Sequence, residues 1–79
     1  MFNIKMEYTN KTLYIELTGI LNEDNFLAFK RKVFTIVDDY EIKNIVLKGH
    51  DLEIIDDSYL ESFRNDYKNK YDGKLTFKI

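Results

Sequence analysis

The chain predicts an α/β fold: a small, mixed, mostly parallel sheet with two main amphipathic helices, in the order ββαβαβ. Three observations make that prediction. Apolar residues alternate with polar ones from Phe2 to Leu17; they recur at three- and four-residue steps from Phe26 to Tyr40 and again from Leu60 to Tyr71; and Ile45-Val46-Leu47, between the two helical patterns, is continuously apolar. A period of two belongs to half-buried strands and a period near 3.6 to helices. Strands alternating with helices then pack most simply as a parallel sheet with helical crossovers.

The elements follow in order. Phe2, Ile4, Met6 and Tyr8 alternate with Asn3, Lys5 and Glu7, giving a first strand at the edge of the sheet. Thr9-Asn10-Lys11 supplies turn residues, and Leu13, Ile15 and Leu17 form the apolar side of a second strand, so the two make a hairpin. Thr18-Gly19 offers a bend, and Ile20-Leu21 anchor the chain before Asn22.

Asn22 is a good helix N-cap, with Glu23 and Asp24 in the first turn, where negative charge is favoured. The apolar stripe of this helix is Phe26, Phe29, Val33, Ile36, Val37 and Tyr40; Asp38-Asp39 oppose the helix dipole, so fraying is expected there. Ile42 to Leu47 reads as a central parallel strand covered on both faces. An acidic loop follows, with Asp51, Glu53, Asp56 and Asp57 in it and Leu52, Ile54 and Ile55 holding it to the core. Ser58 and Glu61 make the S-x-x-E spacing of a capping box, which starts a second helix carrying Leu60, Phe63, Arg64, Tyr67 and Tyr71 on one stripe. Asp72-Gly73 stops it, and Leu75 to Ile79 is the last strand.

Composition narrows the function. Seventy-nine residues, 44% of them hydrophobic, make one domain spanning 1–79 with room for one core. A net charge of −2 gives no nucleic-acid footprint, and Lys30-Arg31-Lys32 is too short a basic face to supply one. Cysteine is absent, so disulfides and thiolate chemistry are excluded. Neither a signal peptide nor a membrane span is apparent, so a cytoplasmic protein is expected. His50 and the acidic loop lack calcium-loop or zinc spacing, and no nucleophile elbow or phosphate-cradling glycine pattern occurs. No metal, cofactor or enzymatic activity is expected.

Three stretches carry a resemblance: LYIELTGILN from Leu13 to Asn22, EIKNIVL from Glu41 to Leu47, and DLEIIDDSYL from Asp51 to Leu60. Together they resemble the STAS domain of bacterial anti-sigma factor antagonists, over nearly the whole chain. The resemblance implies a protein interaction module working in a partner switch that regulates transcription, its partner a serine kinase that doubles as anti-sigma factor. The family's phosphorylated Ser directly follows a motif Asp. Here that Asp is Asp56, and the switch position is occupied by Asp57. Ser58 matches the family's second Ser, and Tyr59 stands where the family has Gly.

The usual phosphoacceptor is therefore missing, and the chain is shorter at its C-terminus than family members usually are. Asp57 carries about one negative charge where phosphoserine carries about −1.5 to −2, so it is a candidate phosphomimic as well as a plain helix-start acid. Ser58 is a candidate displaced phosphorylation site as well as a plain cap. Asp56, Asp57, Ser58 and Tyr59 form the candidate partner-binding and regulatory surface. The chain's twelve aromatic residues and its small size also point to a partner that completes the fold, with a second copy of the chain as one candidate. The alternative to a regulatory module is a structural subunit that uses the fold as a building block of an assembly.

Overall fold

The computed structural model describes residues 2–78. β1 (Phe2–Thr9) and β2 (Thr12–Leu21) form an antiparallel hairpin, and α1 (Glu23–Tyr40) leads to β3 (Asn44–Lys48). β4 (Leu52–Ile54), α2 (Ser58–Tyr71) and β5 (Lys74–Lys78) complete the order. The sheet runs β1-β2-β3-β5, with β4 also pairing β2 beyond the end of β3. β1 is antiparallel to β2, and the other pairings are parallel. This is the mixed α/β class the residue patterns predict, with one added strand. Ile79, expected in the last strand, lies outside the described residues.

The hairpin turns through Asn10 and Lys11, which both take positive φ, 51° and 61°. Two left-handed residues give the turn a twist that matches the strands it joins. Beyond Leu17 the expected bend does not occur: β2 continues through Thr18-Gly19 to Leu21. Gly19 makes this possible. It has φ of 100°, its amide donates to the Asp51 carbonyl at 3.1 Å, and it pairs with Leu52. β4 therefore supplies the partner that keeps β2 extended, and a segment read as loop is a three-residue strand.

Both helices lie on one face of the sheet. Leu13, Ile15 and Leu17 of β2 and Ile45 and Leu47 of β3 are buried against Phe26, Phe29, Val33 and Val37 of α1 and Phe63 and Tyr67 of α2. Phe29 stacks on Phe63 with ring centroids 5.1 Å apart, and Phe34 meets the same ring at 5.2 Å. β3 is thus covered on one face rather than two: Asn44 and Lys48 are exposed on the other side, and Val46 is half-buried. The continuous apolar run misled because Val46 sits on the open face between exposed neighbours.

Asn22 caps α1, its side chain accepting from the Asn25 amide at 2.9 Å. The helix runs through Asp38-Asp39 to Tyr40 and closes with Glu41 in the left-handed region, its amide donating to the Val37 carbonyl. Tyr40, expected on the core stripe, is 63% exposed, and its ring lies 5.9 Å from that of Tyr8. Tyr67 is fully buried, and its hydroxyl donates to the Ile42 carbonyl at 2.7 Å, tying α2 to the segment before β3. Burial pushes its pKa up to about 12. The Tyr71 hydroxyl is enclosed beside the Asp38 carboxylate; burial, and then that carboxylate, push its pKa up to about 12. No helix among the described residues is long and apolar enough to cross a membrane.

Candidate functional site

The start of α2 is built by a short crossing from β4. After Ile54 the Ile55 amide donates to the Leu21 carbonyl at 3.1 Å, fixing the chain beside the end of β2. Asp56 then turns the backbone: its carboxylate accepts from the Ser58 amide at 3.0 Å, and its carbonyl accepts from the Tyr59 amide at 3.1 Å. A short acid bonding the amide two residues on is the usual way an aspartate makes a turn. Those bonds, from the Ser58 amide first and the Ser58 hydroxyl next, hold the Asp56 carboxyl below the ordinary carboxylate range.

The expected capping box is not formed. Asp57 occupies the N-cap position with helical backbone angles and no side-chain capping bond, and Ser58 is already the first residue of the helix. Asp56 has taken the capping task because its side chain reaches the Ser58 amide first. The Ser58 hydroxyl is therefore not consumed as a cap, and it sits against a carboxylate.

Asp56, Asp57 and Ser58 are all exposed, while Tyr59 is half-buried. Tyr59 stacks on Phe26 of α1, ring centroids 4.9 Å apart and planes within 12°. Burial raises the Tyr59 pKa, and the carboxylates of Asp56, Glu23 and Asp24 add to that rise. The first turns of both helices therefore converge here, and Asp56, from the turn before α2, joins Glu23 and Asp24 from α1 around one tyrosine. Glu23, Asp24 and Phe26 were not read as part of this surface. The signal was available in the topology, since helices that follow parallel strands begin together outside the strands' carboxyl ends.

Ile55 was expected to anchor the loop and instead is 58% exposed. It falls on the open face with Ile20, 39% exposed and opposite Glu53 in the β2–β4 register. Leu52 and Ile54 alone hold the loop inward, half-buried against the core. The surface thus combines an acidic rim with two exposed isoleucines, the mixture of apolar and charged groups that protein interfaces use.

Among the described residues no group of three His, Asp or Glu side chains is placed to hold a metal ion. A groove of about 620 Å³ between α2 and β5, lined by Arg64, Lys68, Lys74 and Phe77 among others, begins a turn or more along α2 from Ser58.

The fold defines the chain as a small mixed α/β domain with a five-stranded sheet and two helices on one face. No protein-family model matches it, and no curated protein matches it.

Proposed function

We propose that the chain is a non-enzymatic protein interaction module that presents the acidic start of α2 to a protein partner, in the manner of an anti-sigma factor antagonist. The observation that carries this reading is the exposure of Asp56, Asp57 and Ser58 beside the exposed Ile55, on a turn fixed by the Asp56 hydrogen bonds. A turn held this way offers its charges in one geometry, which lowers the ordering cost of binding. Partner identity comes from the resemblance: a bacterial serine kinase acting as anti-sigma factor, in the cytoplasm. Within this reading Asp57 stands in for a phosphorylated residue, and Ser58, whose hydroxyl is not used as a cap, is the remaining acceptor.

The test is capture of partners from the native cell with the wild-type chain and with Asp57→Lys and Ile55→Asp variants, followed by incubation of the captured complex with ATP. The reading expects a kinase-fold partner that both substitutions release, and phosphate on Ser58 that Ser58→Ala abolishes. A partner retained by both variants places binding elsewhere on the molecule. The second reading, a structural subunit of an assembly, is favoured by the outer strands β1 and β5, each of which pairs on one side only among the described residues. It expects capture of a non-kinase assembly and no phosphorylation.

A further inference from the structure

β1 pairs with β2 on one side, and among the described residues its other side carries no strand. It is eight residues long, and a long open edge is a template for another strand unless something blocks it. Its register with β2 sorts its side chains. Phe2, Ile4, Met6 and Tyr8 share the helix-covered face with Leu17, Ile15 and Leu13, while Asn3, Lys5 and Glu7 share the open face with Thr18, Glu16 and Tyr14. Phe2, Ile4 and Met6 are only half-buried, and Tyr8 is 45% exposed. The core therefore reaches β1 without closing over it.

The order of side chains on this strand is self-complementary. An antiparallel partner copy related by a two-fold axis at Met6 sets Lys5 opposite Glu7 and Glu7 opposite Lys5 on the open face. On the covered face the same axis sets Met6 against Met6, with Ile4 opposite Tyr8 on either side. Opposite charges and apolar pairs directly across a ladder are the combinations that stabilise it. A two-fold interface of this kind closes on itself.

The other edge does the reverse. β5 carries Lys74 and Lys78 on its open face beside Thr76, and an antiparallel pair centred on Thr76 sets lysine against lysine twice. Lysines on an edge are a known block to pairing. Joining β1 of one copy to β5 of another supplies at most one Lys–Glu pair. We propose that β1 is a homodimerisation edge, on which a second copy of this chain pairs antiparallel about Met6 and makes one continuous sheet of two. This surface lies across β2 from β3 and β4, so it goes beyond the reading of α2 and stands or falls separately.

The experiment is sedimentation of the full chain up to millimolar concentration, with circular dichroism confirming that each variant is folded. The wild-type chain is expected to dimerise. Glu7→Lys sets lysine against lysine twice across the interface and weakens the dimer about tenfold or more. Lys5→Glu sets acid against acid to the same effect; it also faces Glu16 within the hairpin, which makes Glu7→Lys the cleaner single change. An equimolar mixture of the two variants regains dimer as a heterodimer, and the charge-swapped Lys5→Glu/Glu7→Lys chain regains it alone. A monomeric wild type, single variants as dimeric as wild type, or a mixture that stays monomeric overturns the proposal.

Discussion

Substituting Gly73 by Ala tests how the end of α2 is locked to the core. Gly73 does not occupy the left-handed region; Asp72 before it does, with φ of 54°. The need for glycine is therefore one of space. A Cβ at position 73 would sit on the Tyr67 ring, 2.6 Å from its hydroxyl oxygen, and that ring is fully buried. Forcing a buried ring out of place costs about 1 to 3 kcal/mol. Moving it also breaks the 2.7 Å bond from its hydroxyl to the Ile42 carbonyl, worth about 1 kcal/mol. Stiffening of the unfolded chain returns about 0.4 to 1 kcal/mol.

The net loss is about 1 to 3.6 kcal/mol. A chain of this length has a total stability of about 4 to 12 kcal/mol, so the effect is large. Urea unfolding followed by circular dichroism measures it, with an unchanged m-value showing that stability alone has moved. The decisive comparison is Gly73→Ala made in a Tyr67→Leu background. Without the ring, the second substitution should cost less than about 1 kcal/mol. Equal costs in the two backgrounds would refute the steric account and assign the penalty to the backbone.

Two further outcomes are expected. Asp56→Ala should speed amide hydrogen exchange at Ser58 and Tyr59 and leave the start of α1 unchanged, whereas Asn22→Ala should loosen α1 and cost about 1 kcal/mol; unchanged exchange at Ser58 in the first variant would count against Asp56 as the cap. Because Tyr67 ionises near 10 when unfolded and only near 12 when folded, its contribution is full below pH 10 and is lost as pH rises toward 12. The urea midpoint should fall across that window and fall less in Tyr67→Phe, and a midpoint independent of pH there would contradict it.

The hairpin, the Asn22 cap, the stripes of both helices apart from the exposed Tyr40 and Arg64, and the stop at Asp72-Gly73 were legible because each is written in local spacing or in a residue with one strong conformational habit. β4 was not, since Leu52-Glu53-Ile54 is too short for a period to register and becomes a strand only because β2 runs past β3 to meet it. The one-sided cover of β3 was hidden for a related reason: a continuous apolar run does not say which of its members faces a helix. At the start of α2 the exposure of the acids followed from their charge. The choice of Asp56 over the Ser58–Glu61 box depended on Asp56, not Glu61, reaching the Ser58 amide, and the arrival of Glu23, Asp24 and Phe26 depended on contacts across more than thirty residues.

Three of the four strand pairings run through β2. That strand is a spine on which neighbours are hung from both sides, so no half of the molecule keeps a closed set of contacts when the other half is removed. Splitting the chain after α1 would leave one fragment with a hairpin missing its parallel neighbours and another whose β4 has nothing to lie against. The domain is in this sense indivisible.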